Sequence, residues 1–310
     1  MKFLFSRIVV DRPTHLLSSI HLLTAMTPRP ADQFIQVANH RIRYWAQGNA
    51  SSTVLLIHGI SCSVLEWEHT IHALSQQHRV IALDLLGSGL SDLPVDAAYD
   101  MQSQATFVFA FMDAMGLDKV HMVGNSMGGR IALECAAMHP ERVASLVLSA
   151  PAGVGQSTLF NFRLASLPKL GEWLTRPSHF GLGMIWKLAF HDSGFVTREL
   201  VAEKVALARR PNAQAVFLKT LRVMLGFSGF PQKPREEFLK RVDTIRCPAL
   251  VIWGRHDKFL PVDHVDILKQ HLPYAHYEII EACGHVPMTE IADRFNRMTQ
   301  AFLTQQAPTL

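Results

Sequence analysis

The stretch Gly124–Asn125–Ser126–Met127–Gly128–Gly129 constrains this chain more than any other. A short apolar run, Val120–His121–Met122–Val123, leads into it. A helix-forming run from about Gly128 to Met138 leads out and stops before Pro140. A serine flanked two residues either side by glycine, at a strand-to-helix junction, fits a sharp turn on which neighbouring backbone packs too closely for a side chain. Such a turn lifts the serine hydroxyl above the edge of a sheet. The competing reading is a Gly-rich turn with an incidental serine, and the strand before and helix after argue against it.

The rest of the chain supplies a sheet for that turn. Phe34 to Ala46 alternates as a strand pair turning at Asn39–His40. Thr53–Ile57 is a continuous apolar run, as expected of a buried central strand, and Val80–Asp84, Ala144–Ala150 and Ala249–Trp253 read as further strands. Tyr274–Ile280 adds a last strand. Between them lie helical stretches at Leu65–Gln77, Met101–Met115, Val262–His271 and Ile291–Leu303. Met101–Met115 places Ala105, Val108, Phe109, Met112 and Met115 on one face. Strands alternating with helices predict an α/β fold with a mostly parallel sheet and helices on both faces. From Ala152 to Thr244 no convincing strand is present, and aromatic residues such as Phe160, Trp173, Phe180, Trp186 and Phe217 punctuate helical stretches. The expected organisation is an N-terminal arm or leading helix over 1–30, a core from 31–151 and 246–310, and a helical lid at 152–245.

Composition narrows the function classes. With 310 residues, 48% apolar and 18% charged, the chain can bury a sizeable core and a cavity. A net charge of +4 with scattered basic residues argues against nucleic acid as a partner. The apolar stretch Leu16–Leu23 is too short for a stable membrane span, which needs about 20 apolar residues, and its flanks do not match a signal peptide. Cys62, Cys135, Cys247 and Cys283 form no C-x-x-C pair or zinc-type cluster, and read as reduced thiols in a cytoplasmic enzyme. Gly87–Ser88–Gly89 lacks the lysine and helix of a phosphate loop, and no metal-ligand spacing such as H-E-x-x-H occurs, so neither cofactor nor metal is expected.

Five segments, in order, resemble the α/β-hydrolase superfamily. They are His58–Gly59–Ile60, Asp84-x-x-Gly87-x-Gly89-x-Ser91, the Gly124–Gly129 turn, Trp253–Gly254–Arg255–His256–Asp257, and Gly284–His285–Val286–Pro287. The resemblance covers about residues 34–303 apart from the insertion. It implies an eight-stranded sheet and a serine nucleophile, Ser126.

A serine hydroxyl needs a base within hydrogen-bond reach. Of 16 histidines, His285 follows the last strand and falls at the carboxyl edge of the sheet, the edge that carries Ser126 and where ligands bind in open parallel sheets. Asp257, just past the strand ending at Trp253, sits at the same edge and would fix the imidazole tautomer. The order Ser, Asp, His is the one this fold uses. The alternative acid position after the preceding strand reads Ser149–Ala150–Pro151, without a carboxylate; Asp263 is the fallback. The resemblance further implies that the backbone N–H groups of Ile60 and Met127 form an oxyanion hole, that His58 holds the loop after its strand, and that Asp84 and Ser91 organise the neighbouring Gly-rich loop.

Serine at the nucleophile position argues against haloalkane dehalogenases and epoxide hydrolases, which use aspartate there. The Gly124–Gly129 turn is similar to that of carbon–carbon bond hydrolases of aromatic degradation. Three features depart from that group. Its oxyanion loop is Gly-rich, where this chain has Ile60–Ser61–Cys62–Ser63. Its tryptophan after the base is Val286 here. Aligning Arg209–Arg210–Pro211 without gaps puts Glu203 at the point of its lid arginine. The Gly-His-Val-Pro-x-x-Glu290 ending is more similar to esterases and lipases. The expectation is therefore hydrolysis of a small apolar carboxylic ester through an acyl-enzyme. The alternatives are hydrolysis of a carbon–carbon bond in a vinylogous diketone and, from another class, a non-catalytic small-ligand receptor.

Overall fold

The computed structural model describes residues 28–306. The expected arm over 1–30 therefore lies almost wholly outside the described residues. Eight strands form one sheet in the order β1-β2-β4-β3-β5-β6-β7-β8. They are β1 (Gln33–Val37), β2 (His40–Gln47), β3 (Thr53–Ile57), β4 (Arg79–Leu83), β5 (Val120–Asn125), β6 (Val143–Ser149), β7 (Ala249–Gly254) and β8 (His276–Ile280). The first two form a hairpin and β2 runs antiparallel to β4; every pairing from β4 to β8 is parallel. The hairpin turns at Ala38–Asn39, one residue earlier than the sequence suggests, and both carry positive φ (46° and 67°), the geometry of the tightest hairpin turn.

The apolar runs divide between two cores. Leu55, Ile57, Met122, Leu146 and Val251 face one side, and Val54, Leu56, Val123, Val147 and Leu250 face the other. Strict alternation with both faces covered explains why these strands read as unbroken apolar runs. On the first side pack α2 (Met101–Ala114), α3 (Met127–Met138) and α10 (His264–His271); on the second lie α1 (Glu68–Leu74), α11 (Pro287–Glu290) and α12 (Ala292–Gln305). The helix expected over Leu65–Gln77 is split. A capping box, in which Ser63 and Glu66 bond each other's backbone or side chain, starts a 3₁₀ turn at Val64–Trp67 before α1 begins.

Between β6 and β7 the chain forms α4 (Phe160–Ala165), α5 (Leu170–Leu174), α6 (His179–Ala189), α7 (Arg198–Ala208), α8 (Ala213–Met224) and α9 (Gln232–Val242). Side chains of Ser178 and Thr197 cap α6 and α7. The last helix returns to the sheet layer: Arg130 of α3 stacks 3.2 Å over the Phe238 ring and Arg241 reaches Glu134 at 2.9 Å. Among the described residues no helix is long and apolar enough to cross a membrane.

Candidate active site

Parallel strands β3, β5, β7 and β8 all end at one edge, and each delivers one piece of the site there. After β5, Ser126 adopts φ 55°, ψ −116°, a conformation that costs a non-glycine residue about 1–3 kcal/mol. The surroundings enforce it. Ser126 N–H donates to Ser149 O (2.8 Å), and its carbonyl accepts from Arg130 N–H and Ala152 N–H, each at 3.0 Å. The glycines are steric necessities: a Cβ on Gly124 would lie 2.5 Å from Gly128 O, and one on Gly128 would strike the carbonyls of Ile57 and His58.

After β7, the chain loops through Asp257. Trp253 Nε1 donates to Leu260 O (2.9 Å) and closes the loop. One Asp257 oxygen, Oδ1, accepts from Phe259 N–H (2.8 Å) and Leu260 N–H (2.9 Å). That leaves Oδ2 for His285 Nδ1, 2.7 Å away and buried with it. The carboxylate thus makes Nδ1 the protonated nitrogen and leaves Nε2 as the acceptor. Asp263, the fallback acid, is exposed at the start of α10, and His256 is exposed and stacks on His191 at 4.3 Å.

Two residues that lie within the sequence motifs, but are assigned no role there, hold the His285 loop. Asn125 donates from Nδ2 to His285 O (3.0 Å) and to Ser149 Oγ (3.1 Å), tying the turn before Ser126 to the chain at His285. Glu290, buried in α11, accepts from Gly284 N–H (2.6 Å) on one oxygen and from Asp192 N–H (2.7 Å) on the other. The insertion closes from above. His285 N–H donates to Ala189 O (2.6 Å), and Gly284 lies so close beneath that a Cβ would be 2.8 Å from His191 N. The Phe259 ring sits 4.9 Å from the imidazole.

After β3, the turn Gly59–Ser63 carries Ile60, half-buried, with Ser61 at φ 58° and Cys62 N–H bonded to Gly59 O at 3.3 Å. His58 accepts from Leu85 N–H through Nε2 (3.1 Å), so its Nδ1 carries the proton to Gly59 O (2.7 Å); burial pushes its pKa down to about 4. Asp84 accepts from Arg43 Nε (2.6 Å), Leu90 N–H (2.6 Å) and Val64 N–H (2.8 Å), and Ser91 Oγ donates to Asp84 O (2.8 Å). Both residues brace the loops after β3 and β4, as the sequence suggests.

Ser126, Met127, Ile60 and His285 line one cavity of about 610 Å³, a size suited to a small organic molecule. Insertion residues such as Trp173, Phe180, Trp186 and Phe217 supply much of the remaining wall, and Arg176 is the only acidic, lysine or arginine residue lining it among the described residues. Glu203 does not reach it. Its carboxylate turns outward to Arg29 (2.5 Å), while the next residue, Lys204, turns inward and pairs with Glu66.

Ser126 on its strained strand–helix turn and His285, bonded to the buried Asp257, thus face one cavity at the carboxyl edge of a parallel sheet, an arrangement that could support nucleophilic attack by a serine. The family model described as the alpha/beta hydrolase fold matches residues 52–290, and the chain belongs to that family. It is 31% identical over 271 residues to a 2-hydroxy-6-oxononadienedioate/2-hydroxy-6-oxononatrienedioate hydrolase of Paraburkholderia phymatum, covering 86% of this chain and 91% of the relative. Among solved structures it is similar to a meta-cleavage product hydrolase from Pseudomonas fluorescens (28% identity, TM-score 0.74, 88% and 97% of the two chains). It is also similar to a bacterial membrane phospholipase A (29% identity, TM-score 0.74, 90% and 87%).

Proposed function

We propose that the protein hydrolyses a carbon–carbon bond next to the ketone of a vinylogous diketone, with Ser126 as nucleophile, His285 as base and acid, and Asp257 as the group that orients His285. The observation that carries this reading is the 31% identity, over nearly its whole length, to a relative named for that reaction. Ester cleavage, the first expectation from the sequence, gives way to it as the leading reading. Ser126 Oγ attacks the ketone carbonyl as His285 Nε2 takes its proton, and the resulting alkoxide sits against the N–H groups of Ile60 and Met127. Collapse breaks the carbon–carbon bond. The departing electron pair delocalises into the conjugated ketone, and His285 returns the proton to that carbon. Water, activated by His285, then releases the acid from Ser126.

A second reading, carboxylic-ester hydrolysis by the same steps with an alcohol leaving, draws on the largely apolar cavity wall, where Arg176 is the only fixed charge among the described residues, and on the likeness to a phospholipase. The reactions separate on substrate. Purified protein is offered a 2-hydroxy-6-oxo-dienoate, followed by loss of its visible absorbance, and p-nitrophenyl esters of graded acyl length, each with Ser126→Ala in parallel. Turnover of the dienoate at a kcat/KM well above that of every ester supports the proposal. The reverse ranking overturns it in favour of the esterase. Saturable binding of the dienoate with turnover of neither identifies a receptor.

A further inference from the structure

Lys204 of α7 and Glu66 of the 3₁₀ turn form an ion pair whose side chains are both only 3% exposed. A dry pair of this kind is a poor source of stability, since apolar residues of similar volume would serve as well or better. Its value has to be sought in what it fixes. Glu66 has two oxygens and uses them in opposite directions. Oε1 meets Lys204 from the insertion, and Oε2 accepts from Ser63 N–H at 2.6 Å. Ser63 ends the turn Gly59–Ser63, whose internal support is slight: Ser61 is held at φ 58°, and the bond from Cys62 N–H to Gly59 O is 3.3 Å long. The turn is the one that presents Ile60 N–H.

On its other side, Lys204 Nζ lies 4.4 Å from the centroid of the Trp186 ring in α6. Trp186 and Cys62 both line the cavity; Lys204 does not. A contiguous path therefore runs from the cavity wall through Trp186, Lys204, Glu66 and Ser63 to Ile60. A second, exposed clasp runs beside it. Arg29 bridges Glu203 of α7 (2.5 Å) and Glu68 of α1 (2.6 Å).

We infer that Lys204 is a positioning residue, which sets the Ile60 N–H through Glu66 so that the oxyanion site is complete only while the insertion is seated on the core. The inference rests on the proposed role of Ile60 and holds for ester and carbon–carbon substrates alike. Lys204 acts through another residue and touches no reacting atom.

The test uses the full chain and variants Lys204→Met, Glu66→Gln and the combination of both. Three readouts are taken: the second-order rate of Ser126 labelling by a fluorophosphonate, kcat and KM for p-nitrophenyl butyrate, a neutral substrate, and kcat and KM for an anionic 2-hydroxy-6-oxo-dienoate. Melting temperature is followed in parallel. Each single variant is expected to lower the labelling rate and kcat by about 10–100-fold with KM changed less than about twofold, a partial loss of one oxyanion donor. The double variant should fall little further, because one linkage has been cut twice. If Lys204→Met does not fold, Glu66→Asp, which keeps the charge and draws it back, carries the same expectation. A lowered melting temperature with labelling and kcat within twofold of wild type overturns the inference. So does a rise in KM confined to an anionic dienoate, which would make Lys204 a direct substrate contact. Wild type that labels normally and turns over no dienoate refutes the proposed carbon–carbon reaction and leaves this linkage standing. Wild type that does not label at all overturns both.

Discussion

Replacing Glu290 by glutamine tests how the site is held. The substitution changes no shape and removes one charge. In the native protein both carboxylate oxygens accept, one from Gly284 N–H at 2.6 Å and one from Asp192 N–H at 2.7 Å. A carboxamide has a single acceptor oxygen, so one of the two backbone donors must face an NH₂ group. That interaction turns from a charge-assisted hydrogen bond into a donor–donor conflict at a buried residue, which costs roughly 3 kcal/mol. The conflict falls on a member of the His285 loop or on the segment that seats the insertion, and either loosens the imidazole. Urea unfolding of Glu290→Gln should therefore show a stability loss of about 2–4 kcal/mol with the slope unchanged, together with a fall in kcat larger than any change in KM. Wild-type stability and kcat in this variant would refute the claim that the paired backbone bonds to Glu290 hold His285, the proposed base, in place.

Asp257→Asn is expected to fold normally and to lose about 10³–10⁴ in kcat. Its carboxamide oxygen can keep the bonds to Phe259 and Leu260, but its NH₂ then faces His285 Nδ1 and imposes the wrong tautomer. Activity near wild type would remove Asp257 from the proposed triad. Gly128→Ala should be destabilised by more than about 2 kcal/mol, because the new Cβ meets two backbone carbonyls that cannot turn aside; a calorimetric scan matching wild type would contradict the packing. Stability should also fall on mild acidification. Burial lowers His58 to about 4 in the folded chain, whereas an unfolded histidine titrates near 6.5. Between those values the unfolded state binds the extra proton, so stability is full above about pH 6.5 and is lost towards pH 4, by roughly 3 kcal/mol for this residue. A urea midpoint constant from pH 7 to pH 4.5 would contradict a buried neutral His58.

Much of this architecture is legible in the amino-acid order. Central parallel strands must be apolar on both faces, and Thr53–Ile57 is observed within the bounds its composition suggests, while Val143–Ser149 is displaced by one residue. Asp257 can be located because it falls just past such a strand, β7, and His285 because it follows the edge strand β8 and precedes the closing helices. The insertion is legible only as helical, since its individual helices are bounded by local caps such as Ser178 and Thr197 and not by a shared period. The roles of Asn125 and Glu290 escape a reading of sequence because their partners, His285 and Asp192, lie 160 and 98 residues away. Glu203 shows how narrowly such a reading can miss. Neighbours on a helix point about 100° apart. The ungapped placement selects Glu203, which pairs with Arg29 on the outside, when the inward position belongs to Lys204.

The bond from His285 N–H to Ala189 O matters for anyone who wants to change what the enzyme accepts. Insertions of this kind invite wholesale exchange between relatives, with 152–245 treated as a detachable cassette. Here the cassette contributes backbone that supports His285, the proposed base. A graft cut at those limits would bring in a foreign carbonyl above Gly284 and a foreign amide opposite Glu290, and would damage chemistry while aiming at specificity. Retaining residues 189–192 as part of the chassis, and exchanging only the helices that wall the cavity, separates recognition from proton transfer.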